Sequence, residues 1–412
     1  MIKKWITVLA ALTIIVGLLA ACGNSSSGEK KAAAKKIVLK FAAQSDSTPA
    51  TKAVIKAFNK QSKKYKVEWT QMTNDSAQMH DQLLTSLSSG SSEYDVLSMD
   101  VVWAGEFAGG GYLNPIDQQM MKAGLQKSQF NAGSMTSGNY QGKQYTLPFF
   151  PDVGLLYFRK DIVSKQDASK LESGNYSYKE LGVLAAKYAG KEGTKTGFVY
   201  QSKQYEGLTV NLAEFSDQFK DIKGGLQTMQ TFTTAKWAPK DLLNYMEAET
   251  ATSFTQGNSV FARNWPYQYG MIKKGGNGIK IKLGQVGIAP LPNGGSVGGW
   301  LLGINKHSKH AEGAFEFVKF VSGRQGQKIM STKGGYLPGY NALLEDKDVQ
   351  KSNQLLASAG FKKALSTTIA RPVSSDYNKV SDAIQIAAHK YLSSGSNLNT
   401  AVQKIKAAIS NK

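Results

Sequence analysis

The carboxylates are the residues of this sequence whose positions first suggest chemistry. Asp46 and Asp100 each come just after a segment with the pattern of a β-strand. In sheets of parallel strands, ligands bind outside the carboxyl ends of the strands. Carboxylates there could accept hydrogen bonds from a polar ligand. An aspartate after a strand is also a common helix N-cap, so both interpretations stay open.

The sequence also contains a motif associated with nucleophilic serines. Residues 294–298, Gly-Gly-Ser-Val-Gly, satisfy the pattern G-x-S-x-G. In hydrolases this motif lies on a sharp turn that leads from a strand into a helix. Here a glycine-rich loop precedes an apolar, strand-like run, which is the wrong order for that turn. We therefore interpret the segment as a hinge.

Metal and nucleotide chemistry have little support in the sequence. The four histidines are His80, His307, His310 and His389, and they form no cluster with the spacing of metal ligands. The sequence has no P-loop and no G-x-G-x-x-G motif. We expect no cofactor and no metal in this chain, and we predict that it is not an enzyme.

The N-terminal segment has the pattern of an export signal that ends at the only cysteine. Two lysines precede an apolar, uncharged run over residues 6–21, which is short for a membrane-spanning helix. Residues 19–22, Leu-Ala-Ala-Cys, resemble a bacterial lipobox. That resemblance implies removal of residues 1–21, a lipid on Cys22 and localisation at the extracellular face of the cell membrane. The small, polar and basic residues 22–36 predict a flexible tether.

The chain is strongly basic, with 50 Lys and Arg against 30 Asp and Glu and a net charge of +20. Such a balance can indicate a nucleic-acid partner. An exported protein meets no DNA in its normal setting, however, and the lysines are spread along the chain. We predict a solvated basic surface and no nucleic-acid partner. With one cysteine the chain can form no internal disulfide and no multi-cysteine zinc site.

The first part of the body alternates between strand-like and helix-like segments. The predicted strands cover 37–43, 65–69 and 94–99, and the predicted helices cover 50–58, 76–87 and 101–108. A β-α-β-α-β-α series is typical of a parallel, doubly wound sheet in the α/β class. The 412 residues are enough for two or three domains.

Three glycine- or proline-rich stretches suggest places where the chain crosses between domains. They lie at 142–158, 293–305 and 334–340. Elsewhere the sequence predicts a strand over 155–158, helices over 311–322, 380–391 and 398–409, and a loop over 273–278.

Four stretches together resemble the extracellular solute-binding proteins of bacterial sugar ABC importers, of the maltose/trehalose-binding type. They are YDVLSMDVVWAGEFAGGGYLNPID at 94–117, LPFFPDVGLLYFRKD at 147–161, GGWLLGINKHSKHAEGAFEFVKFVSG at 298–323 and ARPVSSDYNKVS at 370–381. One stretch alone would be weak support. Four in the right order over nearly all the chain identify the family, although not the sugar.

The resemblance implies an α/β, two-lobed fold of the periplasmic-binding-protein type, with a ligand cleft between lobes that three crossover segments join. It implies an N-terminal lobe from 37–149 and 300–337, and a C-terminal lobe from 150–299 and 338–412. The expected activity is that of a monomeric, lipid-anchored receptor that captures an oligosaccharide and delivers it to permease subunits. We expect an α-linked disaccharide such as trehalose or maltose, and an ATPase that is a separate chain.

The resemblance also assigns polar ligand-binding residues. Asp100 and Asp152 match the paired aspartates with which the family binds sugar hydroxyls. Arg371 matches an arginine that binds hydroxyls across the cleft. Asp46 stands where relatives often have a glutamate, a departure from the family pattern at this position.

The apolar part of the site is assigned in the same way. Trp265 matches a tryptophan that stacks on the sugar, and Trp300 matches a second aromatic wall at a crossing. Gly299 matches a backbone contact. Phe150 stands where relatives often have tyrosine, which puts a polar contact there in doubt. Large, rigid aromatic rings suit the C–H faces of sugars.

Several other functions stay open. The ligand could be another oligosaccharide of the sucrose, raffinose or multiple-sugar type. A receptor for a cation, polyamine or peptide would be favoured by a cleft rich in unpaired acidic residues. A surface adhesin or sensor could use the same fold without transport. A glycosidase would need one of two aspartates to be held protonated.

Overall fold

The computed structural model describes residues 35–46, 48–369, 371 and 376–410. Cys22 and the predicted signal segment lie outside the described residues, as does nearly all of the predicted tether. Backbone contacts place residues 36–412 in one unit, and the architecture below is that of this unit. Within the described ranges, no helix is both long and apolar enough to cross a membrane.

Five strands form the first sheet, in the spatial order β2-β1-β3-β11-β6. They are β1 (Ile37–Gln44), β2 (Tyr65–Met72), β3 (Val96–Asp100), β6 (Thr146–Val153) and β11 (Val297–Ile304). The predicted parallel pairing is confirmed for β1 with β2 and β3. It does not extend to β11, which is antiparallel to both β3 and β6. β6 takes the chain out of this sheet and β11 brings it back beside β6, so the two run in opposite directions.

Four strands form the second sheet, in the order β10-β7-β9-β8. They are β7 (Leu155–Arg159), β8 (Thr196–Val199), β9 (Ser259–Asn264) and β10 (Val286–Ala289). β8 and β9 are parallel, whereas β7 is antiparallel to β9 and β10. A short two-stranded ribbon pairs β4 (Asn139–Tyr140) with β5 (Lys143–Gln144). The second sheet is therefore mixed, like the first.

Helices cover the first sheet because each has one apolar face. In α1, for example, Val54, Ile55 and Phe58 are buried at helical spacing. The helices of this part are α1 (Ala50–Gln61), α2 (Ser76–Ser88), α3 (Ala104–Gly109), α4 (Asp117–Lys122), α5 (Ala132–Ser137), α12 (Ala311–Ser322) and α13 (Arg324–Gly334). The predicted helix over 311–322 is confirmed to the residue.

The remaining helices accompany the second sheet. They are α6 (Lys165–Ser173), α7 (Tyr178–Tyr188), α8 (Glu206–Phe215), α9 (Ile222–Thr234), α10 (Glu247–Thr255), α11 (Tyr267–Lys274), α14 (Lys347–Ser352), α15 (Ala359–Ser366), α16 (Tyr377–Ser394) and α17 (Leu398–Ser410). The predicted loop over 273–278 is wrong for its first two residues. They complete α11, which ends at Lys274 and is followed by the C-cap Gly275 with φ +65°.

Separate hydrophobic cores distinguish two lobes. Along β1, Leu39, Phe41 and Ala43 face one core and Ala42 faces another, because both sides of the first sheet are covered. A third core surrounds the second sheet. We call the first sheet with its two cores the first lobe, and the second sheet with its core the second lobe.

Within the described part of the chain, three passages between these lobes lie close to the predicted crossings. The first passage joins β6 to β7 and the second joins β10 to β11. The third follows α13, since Met330 packs in a first-lobe core and Leu337 packs in the core of the second lobe. The crossings therefore place residues from distant parts of the sequence at one junction.

Candidate functional site

Three neighbouring strands bring most of the predicted site residues together. β11 lies between β3 and β6, and its Trp300 pairs with Asp100 on one side and with Phe150 on the other. Gly298, two residues earlier, pairs with Asp152. Residues separated by up to 200 positions in sequence thus meet where the chain crosses between the lobes.

The backbone at Gly299 requires glycine. Its φ is +109°, and a Cβ there would lie 2.4 Å from the carbonyl oxygen of Phe150. The carbonyl oxygen of Gly299 accepts a hydrogen bond of 3.2 Å from the N–H of Val101. The pairing of β11 with β6 shifts its register just after this point, between Trp300 and Leu301. The glycine therefore lets β11 bend while it stays close to both neighbours.

Arg371 joins carboxylates of both lobes. Its Nη2 donates to Asp100 Oδ1 at 3.1 Å, and its Nη1 donates to Glu206 Oε1 at 2.7 Å. Its Nε donates to the carbonyl oxygen of Val297 at 3.4 Å. Asp100 Oδ1 also accepts from the N–H of Val102 at 3.1 Å, as a turn residue would. The buried guanidinium is thus compensated by two negative charges and one carbonyl.

Glu206 was not among the residues predicted from the sequence. It begins α8, and it accepts hydrogen bonds of 2.6 Å from the hydroxyls of Tyr377 and Ser381 in addition to the bond from Arg371. Burial raises the pKa of its carboxyl, and the charge of Arg371 opposes that shift. No motif marks Glu206, because its partners lie more than 160 positions away.

Asp152 differs from Asp46, Asp100 and Glu206 because it has no partner among the residues that the structure describes. It is half-buried on β6, and its carboxylate makes no hydrogen bond or ion pair with any other described residue. Burial, reinforced by the nearby charge of Asp100, raises the pKa of Asp152 to about 8, although the charge of Arg263 lowers it. Its carboxyl group therefore keeps its hydrogen-bonding capacity unused by the described residues.

Trp265 forms a half-buried aromatic surface at the end of β9. The guanidinium carbon of Arg263 lies 3.9 Å from its ring centroid. A Cβ on Gly298 would come within 2.8 Å of the ring, so the indole packs directly on the backbone of β11. Its Nε1 donates to Glu247 Oε1 at 3.4 Å. These contacts hold the ring next to Asp152.

A buried ion pair supports this aromatic surface. Arg263 donates to the two oxygens of Glu214 at 2.6 and 2.9 Å. Glu214 Oε1 also accepts a bond of 2.8 Å from the N–H of Ser296, just before β11. A Cβ on Gly154, between β6 and β7, would lie 2.3 Å from the same oxygen. The pair therefore lies against two of the crossing segments.

Trp300 presents the second aromatic surface. Its half-buried ring meets buried Trp103 edge to face, with centroids 5.4 Å apart. Beyond Trp103 lies buried His80, whose Nε2 is 2.9 Å from Glu106 Oε2. Burial lowers the pKa of His80, but Glu106 and Asp81 outweigh that effect and raise it overall. Trp300 is thus supported from behind by a packed aromatic and polar cluster.

Phe150 and Asp46 are linked through Tyr336. Phe150 is buried and stacks on Tyr336, with ring centroids 4.4 Å apart. The Tyr336 hydroxyl donates to Asp46 Oδ1 at 2.9 Å. Asp46 also accepts from the N–H of Thr48 at 2.7 Å and from the N–H and hydroxyl of Thr51 at 3.0 and 2.7 Å. Its carboxylate is engaged in shaping the start of α1, unlike that of Asp152.

The G-x-S-x-G segment has the geometry expected of a connection. Ser296 lies before β11, so a strand and not a helix follows it. Its buried hydroxyl makes no hydrogen bond to any described residue. Among the residues that the structure describes, no three His, Cys, Asp or Glu side chains form a group that could hold a metal.

Comparison with known proteins places the chain among binding proteins. The model of the family described as bacterial extracellular solute-binding protein matches residues 42–328. A Deinococcus radiodurans protein, described as "Probable ABC transporter-binding protein", is 31% identical over 349 residues, which cover 78% of this chain and 80% of that protein. A maltotriose-binding protein of Pyrococcus abyssi is 26% identical, with 70% of this chain and 64% of that protein covered.

The same relationship is seen in three dimensions. The structure of maltose-bound T. maritima MalE3 is similar with a TM-score of 0.79 and 27% identity, over 91% of this chain and 100% of that one. The two-lobed α/β fold expected from the sequence is therefore confirmed. Because the family model covers most of the sequence and the fold agrees with it, this chain belongs to the bacterial extracellular solute-binding proteins.

Proposed function

We propose that this protein is the substrate-binding component of an ABC importer and captures a sugar outside the cell. The observation that carries the proposal is the carboxyl of Asp152, which pairs with no other described residue and lies beside the Trp265 ring at the junction of the lobes. The ligand that we favour is an α-linked disaccharide such as maltose or trehalose. The maltose and maltotriose named for two similar proteins support this choice.

The proposed ligand-binding residues suit the two kinds of surface on a sugar. Hydroxyl groups need acceptors and donors, which Asp152, Asp100 and Arg371 would supply. The C–H faces need flat apolar walls, which Trp265 and Trp300 would supply. A micromolar Kd corresponds to about 8 kcal/mol of binding free energy, which a few charge-assisted hydrogen bonds and two aromatic surfaces can provide.

The other assigned residues have narrower roles in this proposal. Gly299 would offer backbone at the crossing, where no side chain fits. Phe150 would contribute apolar surface without the hydroxyl of a tyrosine. Asp46 would shape the loop before α1 and would not contact the ligand directly, since its oxygens already accept four hydrogen bonds.

We propose that binding favours a closed arrangement of two discontinuous lobes, 37–149 with 300–337 and 150–299 with 338–412. The sheets support division near these points, because β6 remains in the first sheet as far as Val153 and β11 joins it from Val297. A ligand that contacts both lobes binds the closed state more tightly and so shifts the population toward it.

The proposed setting follows from the family and from the N-terminal sequence. A lipid on Cys22 would tether a monomeric receptor to the outer face of the membrane through residues 22–36. Permease subunits would receive the sugar, and a separate chain would supply the ATPase. The function is capture and delivery and not catalysis, so neither Asp100 nor Asp152 needs to act as an acid.

The proposal is tested by thermal unfolding of the purified protein with maltose, trehalose, maltotriose, sucrose, raffinose, spermidine and a mixed peptide pool. A sugar at 100 times its Kd would add about 2.7 kcal/mol, and we expect Tm to rise by roughly a few degrees. The shift should disappear in Asp152→Ala and persist in Glu312→Gln, an exposed control on α12. A panel in which no sugar raises Tm would contradict the sugar assignment.

One observation favours a second candidate, a receptor for a cation such as a polyamine. Three carboxylates lie at this junction: the Arg371 guanidinium donates to those of Asp100 and Glu206, and the charge of Asp100 acts on the carboxyl of Asp152. Two of the three are paired with that guanidinium, which leaves only Asp152 for an ammonium group. A shift of Tm with spermidine and with no sugar would select this candidate.

A further inference from the structure

Arg371 is attached to the two lobes at the same time. Asp100 lies at the end of β3 in the first lobe, whereas Glu206 begins α8 in the second lobe. The Arg371 side chain is only 4% exposed, while those of Asp100 and Glu206 are 18% and 23% exposed. The guanidinium therefore sits inside the junction, and its carboxylate partners lie nearer to the solvent.

The donors of Arg371 can be counted. A guanidinium has five N–H groups in a fixed plane. Three of them donate to Glu206, Asp100 and the carbonyl oxygen of Val297. Two N–H groups therefore have no acceptor among the described residues. Because the plane is rigid, the partners that hold three of the donors also determine where the other two point.

Glu206 is the most firmly held of those partners. Its Oε1 accepts from Tyr377 and its Oε2 accepts from Ser381, both at 2.6 Å and both from α16. Ser381 is itself 2.8 Å from the hydroxyl of Thr209 on α8. The carboxylate cannot rotate without breaking these bonds. Among the described residues, the Asp100 carboxylate accepts only one further bond, from the N–H of Val102.

We infer that Glu206 is a positioning residue for ligand binding, which fixes the guanidinium of Arg371 so that its two remaining N–H donors serve the ligand. This inference rests on the proposed function, because it assumes that Arg371 contacts the ligand. Glu206 acts through Arg371 and needs no contact of its own. The alternative is that Glu206 only ties α8 to α16.

A double-mutant cycle separates the two roles. Charge-assisted hydrogen bonds contribute about 1.5–3 kcal/mol, so Glu206→Gln should weaken maltose binding by about tenfold or more. In an Arg371→Met background the same substitution should change the affinity by less than about twofold, since its effect is transmitted by Arg371. Equal losses of affinity in both backgrounds would overturn the inference. Glu312→Gln serves as the control.

A second measurement needs no ligand. In the intact protein, Glu206→Gln should free the guanidinium and raise the rate at which phenylglyoxal modifies Arg371, measured by mass spectrometry, by at least severalfold. Arg324 on the surface and Arg263 in the core provide fast and slow reference rates. An unchanged rate at Arg371 would also overturn the inference. A wild-type protein that binds no sugar would instead contradict the proposed function, and the labelling rates would still test Glu206.

Discussion

Two arginines of this protein are bound by carboxylates in contrasting surroundings. Arg263 and Glu214 form an enclosed pair in which the side chains are 1% and 0% exposed. Arg371 forms an open cluster with Asp100 and Glu206, whose side chains reach solvent. Both sites neutralise a buried guanidinium, but only the open cluster draws its partners from both lobes.

This difference in exposure suits the two sites to different roles: the enclosed pair to structural support and the open cluster to ligand binding. In the enclosed pair, both oxygens of Glu214 accept from Arg263, and one also accepts from the N–H of Ser296. Neither side chain is more than 1% exposed, so a ligand has no access to the pair. In the open cluster, the Asp100 and Glu206 side chains are 18% and 23% exposed, so a ligand can reach them. One strand links the two sites, because Ser296 bonds to Glu214 while its neighbour Val297 bonds to Arg371. The enclosed pair can thus anchor the strand on which the open cluster depends.

The largest expected effect comes from breaking each site with the same substitution. Arg263→Met leaves Glu214 as an uncompensated buried charge and should lower the free energy of unfolding by about 3–5 kcal/mol. Arg371→Met should cost less, about 1–2 kcal/mol, because Asp100 and Glu206 can turn toward water. Chemical denaturation of the two variants would measure both values.

A double variant checks the cause of the larger loss. Adding Glu214→Leu to Arg263→Met removes the stranded charge, and it should restore part of the lost stability. If Arg371→Met were the more destabilising of the two single variants, the distinction between an enclosed support and an open binding cluster would fail.

The sequence predicts the elements of the two sites better than it predicts their partners. Asp100 and Asp152 were predicted because a strand end marks the first and family motifs mark both. Glu206 and Glu214 were missed because each meets its arginine across at least 49 positions, and no local pattern encodes such a contact. The direction of β11 was missed for a similar reason, since pairing with a strand 200 residues away is set by the return of the chain and not by its own residues.

The next effect concerns the strand that links the sites. Gly299→Ala would force a Cβ against the carbonyl oxygen of Phe150 at φ +109°, and such backbone strain costs about 1–3 kcal/mol. We expect both Tm and sugar affinity to fall, because β11 serves the enclosed pair and the open cluster together.

Gly298→Ala provides the matched comparison one residue earlier. There a Cβ would meet the Trp265 ring and not backbone, so the ring should move and affinity should fall more than Tm. If Gly299→Ala left both quantities unchanged, the strand would not be the mechanical link between the two sites.

The pKa of Asp152 depends on one residue from each site, since the charge of Asp100 raises it and the charge of Arg263 lowers it. Its pKa is raised from the model-compound value of 3.8 to about 8, so the folded protein binds the proton more tightly than the unfolded chain does. Its contribution to stability is therefore present below pH 4 and is lost as the pH rises toward 8. Relative to Asp152→Asn, the wild type should lose stability between pH 5 and pH 8.

Denaturation at these two pH values, for both proteins, measures that difference directly and cancels the titration of all other groups. Sugar affinity should fall in Asp152→Asn even though stability at pH 8 rises, as expected for a residue retained for binding. A wild type whose stability changed with pH in parallel with the variant would show that Asp152 is ionised in the usual range.

The substitution with the smallest expected effect tests whether Asp46, like the open cluster, contacts the ligand. Tyr336→Phe removes one of the four hydrogen bonds to the Asp46 carboxylate but keeps the ring that stacks on Phe150. The loss of a single hydrogen bond should cost about 1 kcal/mol. The remaining bonds from Thr48 and Thr51 should hold Asp46 in place, so sugar affinity should change by less than about twofold. Titration calorimetry measures the sugar affinity of the variant. An affinity as low as that of Asp152→Asn would contradict this expectation and would place Asp46 with Asp152 among the carboxylates that contact the ligand.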